Sequence, residues 1–193
     1  NFVYKSQSSK TSNTTSTNDK YSSRQYYLEK LKIYDAWDYL KDFKTSKVKV
    51  AVIDTGLDVN HKDIKDNLYL GVDAENNYAE LTRHHGTHVS GIIAASTNNS
   101  IGVAGIGNNM VDLMAINVFF GEGSDTEAYT TDIIKGYNYA VKNGAKVINM
   151  SLGRLVDDND YDDIDKQYDS ILEKAINEAY DKGIVTVCAA GNE

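Results

Sequence analysis

Short apolar runs alternate along the chain with longer segments that show helical periodicity. Four of the runs predict buried strands: 47–53, which is rich in β-branched residues, 113–119, 146–150 and 184–190. Helices are predicted at 88–95, 132–142 and 168–182, the last two ending at Gly144 and Gly183. Because strands that alternate with helices form parallel sheets, the predicted fold class is α/β, a parallel sheet with helices on both faces.

The first 25 residues differ in composition from the rest of the chain. Residues 6–23 are almost entirely Ser, Thr, Asn, Lys and Asp, which cannot bury enough apolar surface to offset the loss of chain entropy on folding. We therefore predict a flexible linker over 1–25. From Tyr26 onwards, aromatic and aliphatic residues recur at near-helical spacing, so the folded domain is predicted to span 26–193.

Composition and charge exclude several classes of partner. The 193 residues carry a net charge of -8, and no segment concentrates Lys or Arg, so a nucleic acid partner is not expected. No apolar stretch approaches the roughly 20 residues that a membrane span needs, so no membrane segment is predicted in this chain. The single cysteine, Cys188, excludes an internal disulfide.

Candidate catalytic side chains follow the predicted strands. Asp54 stands at the end of the first run, and His85 lies in the segment HHGTHVSG that leads into a helix. A carboxylate that accepts a hydrogen bond from imidazole Nδ1 fixes the tautomer and leaves Nε2 as a general base. Asn192 follows the last strand, where its amide can donate to a developing oxyanion. Sites in parallel sheets collect beyond the carboxyl ends of strands, so Asp54, Ser151 and Asn192 are predicted to meet there.

Four motifs occur in order along the chain: VIDTG at 52–56, HGTHV at 85–89, VINMSLG at 147–153 and AAGN at 189–192. Together they resemble the subtilase family of serine peptidases throughout 26–193. The resemblance implies the N-terminal half of a subtilisin-like catalytic domain. It also implies a Ser-His-Asp endopeptidase in which Asp54 orients His85, His85 deprotonates a serine and Asn192 helps to form the oxyanion hole.

The same resemblance implies a site for an extended peptide or protein substrate. One edge of the substrate backbone would pair with residues after the third predicted strand, and the other edge with the region around Gly123, by strand addition. The implied substrate-binding residues are Gly123, Ser151, Leu152, Gly153, Ala190 and Gly191.

A calcium site is a further implication of the resemblance. Residues 98–103, with the sequence NNSIGV, resemble the calcium loop that follows the histidine-bearing helix of subtilases. Side-chain oxygens and backbone carbonyl groups would form a cage that suits a hard cation. The implied ligands are the side chains of Gln25, Asp63 and Asn99 and the carbonyl groups of Thr97, Ile101 and Val103.

The Gly-Thr-Ser motif that carries the nucleophilic serine of subtilases does not occur in this sequence. We expect the catalytic domain to be incomplete at the C-terminus, to need a further segment that supplies this serine, and to be inactive alone. The alternative is a non-catalytic pseudo-protease, or an inert autoproteolytic fragment that binds peptide or calcium.

An acidic segment indicates a particular group within the subtilase family. The run VDDNDYDDIDKQYD at 156–169, the polar N-terminal region and the absence of proline resemble subtilases of Gram-positive bacteria that remove leader peptides from lantibiotic precursors, often after arginine. That resemblance implies a secreted zymogen, anchored at the cell surface by other segments. The residues before Tyr26 would be a linker or the remnant of its own propeptide, with Arg24 as a candidate processing point. The alternative for the acidic run is a solvated loop.

Two other interpretations fit the sequence less well. His84 and His88 stand four residues apart and can share a helix face as zinc ligands, but the glutamate of an H-E-x-x-H motif is missing. Gly102, Gly105 and Gly107 lack the spacing of a nucleotide-binding loop and precede a strand instead of opening a helix. A metal-dependent hydrolase and a nucleotide-binding domain are therefore disfavoured.

Overall fold

The computed structural model describes residues 16–43, 46–73, 84–121, 126–153 and 162–191. Their strands are β1 (Val48–Asp54), β2 (Leu68–Asp73), β3 (Val111–Asn117), β4 (Val147–Met150) and β5 (Val185–Cys188). Their helices are α1 (Tyr26–Lys30), α2 (Ile33–Leu40), α3 (His84–Ala94), α4 (Thr130–Lys142) and α5 (Asp163–Asp181). From β2 onwards, strands and helices alternate. None of the described helices combines the length and the apolar composition needed to span a bilayer.

The five strands form one sheet in the order β2-β3-β1-β4-β5, and every neighbouring pair is parallel. This confirms the predicted α/β class. β1 lies at the centre of the sheet, where Asp54 is in register with Asn117 of β3 and Ile53 with Met150 of β4. The carboxyl ends of these three strands therefore open on the same edge of the sheet, where sites of parallel sheets collect.

Helices cover both faces of the sheet, as predicted. Along β1, Ala51 and Ile53 belong to a core that includes residues of α4, whereas Val50 and Val52 belong to a second core that includes residues of α3. A strand that is buried on both faces needs a continuous apolar run. This is why β1 lacks the alternation of apolar and polar residues that marks a surface strand.

β2 and the start of α3 are not evident from the sequence. The sequence of β2, LYLGVD, is interrupted by glycine, and its register with β3 contains an irregularity. α3 is predicted from residue 88 but begins at His84. Its first turn contains His84, His85 and Gly86, which are residue types of modest or poor helix propensity. Contacts with the rest of the fold must therefore stabilise this turn.

Close packing between two glycines places that first turn against β1. A Cβ atom added at Gly86 would lie 2.0 Å from the carbonyl oxygen of Gly56. Gly56 has a φ of +83°, a backbone conformation that favours glycine. The helix can therefore approach the end of β1 this closely only because Gly86 carries no side chain.

The folded part of the chain begins earlier than its composition predicts. Asp19 is buried, and its carboxylate accepts hydrogen bonds from the backbone N–H groups of Asn98 and Asn99. Residues 16–25 thus differ from the flexible linker predicted for them, because a buried carboxylate anchors them to a distant loop. Residues 1–15 of the predicted linker lie outside the described residues.

β5 is apolar but largely exposed. Val185 and Val187 keep 56% and 47% of their surface accessible, whereas Ile184, just before the strand, is buried. Among the described strands, β5 has a hydrogen-bonded neighbour on one side only. Strands of parallel sheets are usually covered on both faces. β5 therefore has the composition of a buried strand, but the described residues cover only part of its surface.

Gly86→Ala is expected to lower the free energy of unfolding by about 2 kcal/mol or more, because the added methyl group overlaps the Gly56 carbonyl oxygen. Gly91→Ala in the same helix is the matched control. Its Cβ would meet only the Ile64 side chain, at 3.8 Å, so stability should be unchanged or raised by up to about 1 kcal/mol. Urea unfolding followed by circular dichroism measures both variants, and equal stabilities would contradict the close packing.

Candidate active site

The side chain of Asp54 is buried at the carboxyl end of the central strand. Only 2% of it is exposed. The backbone N–H of Thr55 donates to its Oδ1 over 2.6 Å. An ionised carboxylate is costly to bury unless protein donors replace the water that it loses. The end of β1 therefore presents one acidic group in a fixed orientation that depends on its hydrogen-bond partners.

His85, in the first turn of α3, is the second partner of this carboxylate. Its Nδ1 lies 2.8 Å from Oδ1 and 2.9 Å from Oδ2 of Asp54. Because an ionised carboxylate can only accept, Nδ1 carries the proton and Nε2 is the nitrogen left to act as a base. The imidazole is 56% exposed, unlike its buried partner. The structure thus brings the two side chains of the predicted pair together and leaves the imidazole accessible.

Three of the residues predicted to bind substrate continue directly from β4. Ser151, Leu152 and Gly153 follow the strand that pairs with β1, so they lie at the edge of the sheet that carries Asp54. The Asn149 side-chain amide donates to Ser151 Oγ over 2.9 Å, which restrains the hydroxyl group. Gly153 is exposed, so its backbone is open to an approaching chain.

The predicted residues beyond β5 are only partly within the described residues. Ala190 and Gly191 follow β5 and are exposed. The segment that contains them starts beside the end of β4, because the N–H of Ala189 donates to the Met150 carbonyl over 3.1 Å. Gly123 and Asn192 lie outside the described residues, so their implied roles in substrate binding and in the oxyanion hole stay predictions.

An aromatic pair that the sequence analysis does not single out lies beyond β3. Phe120 and Glu127 form an antiparallel bridge with backbone hydrogen bonds of 2.9 and 3.0 Å. The rings of Phe120 and Tyr129 stack with their centroids 4.6 Å apart. These residues stand on either side of the segment that contains Gly123. The sequence signal for this pair is two aromatic residues, Phe120 and Tyr129, on either side of a run of small and acidic residues.

The predicted calcium loop folds against Asp63. Oδ1 of Asp63 accepts a hydrogen bond from the Asn99 amide over 2.7 Å, and Oδ2 accepts from the Val103 N–H over 2.8 Å. Every second residue of the loop has a positive φ angle: Asn98, Ser100 and Gly102. Three of the predicted ligands are therefore neighbours, on a loop that coils around the carboxylate.

Gln25, the third side chain predicted as a calcium ligand, pairs with backbone groups of Ala104. Its Oε1 accepts from the N–H of Ala104, and its Nε2 donates to the carbonyl of the same residue, both over 2.8 Å. The side chain is buried and pairs with the backbone as a neighbouring strand would. Gln25 thus anchors the N-terminal segment, because its amide oxygen is already committed to a backbone donor.

Asp19 and Asn18 also contact this loop and are missed by the sequence analysis. The two oxygens of Asp19 accept from the N–H groups of Asn98 and Asn99 over 3.0 and 3.1 Å. Oδ1 of Asn18 accepts from the Ser100 N–H over 2.9 Å. Both residues lie within a run of similar polar residues, so no pattern marks them. They add a second carboxylate to the surroundings of the loop.

The described residues include no group of three or more His, Cys, Asp and Glu side chains placed to hold a metal ion. His84 and His88 line a cavity of about 1060 Å³ together with His61 and Asp58. A calcium ion would instead use amide and carbonyl oxygens beside a carboxylate. The loop with Asp63 contains these oxygen types, and in this structure both Asp63 oxygens and Asn99 Oδ1 accept hydrogen bonds from protein donors.

The chain is similar to known proteins in sequence and in fold. The sequence profile of the subtilase family matches residues 45–193. The chain is 39% identical to thermitase from Thermoactinomyces vulgaris over 178 residues, which cover 91% of this chain and 57% of thermitase. It is 40% identical to a thermophilic serine proteinase of Bacillus sp. (strain AK1) over 159 residues, 81% of this chain and 35% of that protein. The chain therefore spans only part of the length of these relatives.

Two solved structures have a similar fold. The epidermin leader peptide processing serine protease EpiP from Staphylococcus aureus gives a TM-score of 0.65 at 30% identity, over 93% of this chain and 45% of that chain. The nisin leader peptidase NisP from Lactococcus lactis gives a TM-score of 0.66 at 23% identity, over 90% of this chain and 51% of that chain, a likeness of fold alone. Since the family profile matches most of its length and its sheet carries the Asp54–His85 pair, the chain belongs to the subtilase family.

Proposed function

We propose that the chain supplies the acid and the base of a serine endopeptidase that cleaves peptide bonds by a Ser-His-Asp mechanism. The observation that carries the proposal is the contact between the buried Asp54 carboxylate and Nδ1 of the half-exposed His85. This arrangement fixes the imidazole tautomer and leaves its other nitrogen for proton transfer. Membership of the subtilase family supports the reaction type.

In this mechanism, Nε2 of His85 takes the proton of the serine hydroxyl as the serine oxygen attacks the scissile carbonyl. The same nitrogen then gives the proton to the leaving amine. Asp54 keeps Nδ1 protonated and stabilises the imidazolium that forms between the two transfers. Its burial strengthens this stabilisation, because little water lies nearby to screen the charges. Asn192 is proposed as the side-chain donor to the oxyanion.

The nucleophilic serine is proposed to come from a further segment, since no serine of this sequence stands in a Gly-Thr-Ser context. The exposed surface of β5 supports this proposal. Apolar side chains such as those of Val185 and Val187 are typical of strands that are covered on both faces. A further segment packed against them would bury their exposed surface. We therefore expect this chain alone to be inactive.

A pseudo-protease that binds peptide or calcium without cutting is the alternative. It would keep the same carboxylate, the same imidazole and the same strand ends. Only the nucleophile distinguishes it from an active peptidase. Hydrolysis of peptides by the full-length protein therefore decides between the two.

In the full-length protein, His85→Ala is expected to lower kcat about 10⁶-fold, a magnitude measured for subtilisin itself, because the variant lacks the nitrogen proposed to take the serine proton. His84→Ala is the matched control and should leave kcat nearly unchanged, since His84 lines the cavity beside His61. Hydrolysis of a chromogenic peptide measures both. Equal losses would overturn the choice of base, and a wild-type protein that does not cleave would favour the non-catalytic alternative.

We extend the proposal to a substrate: a lantibiotic leader peptide, cleaved after a basic residue. EpiP is named as a leader peptide processing protease, and it is 30% identical to this chain in sequence. The net charge of -8 and the exposed Asp162 and Asp163 at the start of α5 favour approach of a basic peptide. Residues 154–161 of the acidic run lie outside the described residues. Secretion and attachment to the cell surface belong to the same proposal.

The hydrogen bonds of the N-terminal segment indicate where a propeptide would end. Arg24 lies between Asp19 and Gln25, the two residues that bind the segment to the loop around Asn98 and to Ala104. Cleavage after Arg24 would separate Asp19 from the rest of the domain. A processing point before Asn18 would keep all of these hydrogen bonds, so we place the end of a propeptide there.

Peptides that differ only at the residue before the scissile bond test the substrate proposal. With the full-length protein, kcat/KM for Arg is expected to exceed that for Phe at least about tenfold, which equals about 1.4 kcal/mol of transition-state discrimination. The matched Lys peptide separates charge from shape, and added salt should reduce the preference. A preference for Phe would contradict leader-peptide processing and leave the peptidase function intact.

We also propose that loop 98–103 binds calcium. The side chains of Asp63 and Asn99 are adjacent, and the carbonyl groups of Thr97, Ile101 and Val103 belong to the same short stretch of backbone. Calcium accepts such mixtures of carboxylate, amide and carbonyl oxygens. Bound there, it would hold the loop after α3 against the residues that precede β2. Oε1 of Gln25 and the side-chain oxygens of Asp63 and Asn99 all accept hydrogen bonds from protein donors, so calcium would have to displace these donors.

Removal of calcium with excess chelator is expected to lower the melting temperature of the chain. An ion that binds only the folded state at 100 times its Kd adds about 2.7 kcal/mol of stability. Asp63→Asn should weaken the response, and magnesium should not replace calcium because it demands a smaller octahedral site. Differential scanning calorimetry measures the shift. A melting temperature that is the same with calcium and with chelator would contradict the proposal.

A further inference from the structure

We propose that Thr55 is a positioning residue that fixes the Asp54–His85 pair through two hydrogen bonds of its own. The inference rests on the proposed peptidase function for its kinetic consequence only. Its structural consequence, a restrained imidazole, is measurable on this chain without any catalysis.

Thr55 contacts both sides of the pair. It directly follows Asp54 in the chain and keeps only 9% of its surface exposed. Its backbone N–H donates to Oδ1 of Asp54 over 2.6 Å. Its side-chain Oγ1 accepts from the N–H of Gly86 over 3.0 Å, in a buried position. Because Gly86 directly follows His85, one residue holds the carboxylate and the helical turn that carries the imidazole.

The hydroxyl group satisfies a donor that the helix cannot satisfy itself. Gly86 is the third residue of α3, and the N–H groups of a first turn have no carbonyl partner within their helix. An acceptor for such a group usually comes from the residue just before the helix. Thr55 supplies the acceptor from the end of β1 and so links strand to helix.

The glycine contact does not make this link redundant. Packing of Gly86 on Gly56 limits how closely the helix approaches the strand, but contact alone does not fix the direction of a side chain. Nδ1 of His85 is almost equidistant from the two oxygens of Asp54, at 2.8 and 2.9 Å. Those distances depend on the rotation of the carboxylate and on the position of the helix. The N–H of Thr55 restrains the rotation of the carboxylate, and its Oγ1 restrains the position of the helix.

Three variants separate positioning from general stability. Thr55→Val removes the acceptor and nearly keeps the shape, whereas Thr55→Ser keeps the acceptor. Thr87→Val is the matched control, because Thr87 Oγ1 accepts from the Asp58 N–H over 2.9 Å. That hydrogen bond also joins the chain after β1 to α3, but it involves neither the Asp54 carboxylate nor Gly86. Both valine variants should lower the melting temperature.

Exchange of the His85 Nδ1 proton with water, followed by NMR on the histidine-labelled chain, is the direct readout. The wild type, Thr55→Ser and Thr87→Val should share a slowly exchanging Nδ1 proton. In Thr55→Val the exchange should be about tenfold faster, the factor that corresponds to the loss of one hydrogen bond. If Thr55→Val does not fold, Thr55→Ala in a Gly91→Ala background takes its place.

Kinetics of the full-length protein provide the second readout. Thr55→Val should lower kcat about 10- to 100-fold at unchanged KM, because a misplaced base slows proton transfer without weakening substrate binding. Thr55→Ser should restore most of the rate. Unchanged Nδ1 exchange in Thr55→Val, or equal acceleration in Thr87→Val, overturns the proposal. If the wild-type protein cleaves no peptide, the peptidase function fails, and the exchange data still decide the role of Thr55.

Discussion

A negative charge buried at the end of the central strand is the constraint on which the rest of the structure depends. Asp54 has lost almost all contact with water, and burying a carboxylate is costly unless protein donors replace that water. The donors come from the next residue and from the imidazole of His85. The second donor requires the first turn of α3 to lie against the end of β1, which the absence of a side chain at Gly86 permits.

The helix that carries the base is held at both of its ends by irregular segments. At its start, the backbone around Thr55 and Gly56 fixes the first turn. Beyond its end, the chain enters the loop that Asp63 and the N-terminal residue Asp19 bind from outside the helix. A helix held in this way cannot slide along its axis without breaking bonds at both ends. The loop and the N-terminal segment thus help to position an imidazole that they do not touch.

The sheet is predictable from the sequence because buried parallel strands leave near-continuous apolar runs as a signature. That signature identifies four of the five strands and fails for β2, an edge strand that contains a glycine. The Asp54–His85 pair is predictable because each residue sits in a family motif. The role of Asp19 is not, since a carboxylate in a polar run has the same sequence signature whether it is solvated or buried. The pairing of Gln25 with Ala104 is not predictable either, because Ala104 is 79 positions away and contributes only backbone.

The uncovered strand β5 also affects how this chain behaves in solution. On the side away from β4 it presents a row of backbone donors and acceptors without a strand partner among the described residues, flanked by exposed valines. Such an edge is a template onto which a second molecule can add a strand of its own. Concentrated solutions of the chain are therefore prone to aggregate through this strand. A lysine in place of Val185 or Val187 would protect the edge, as charged side chains do on natural edge strands.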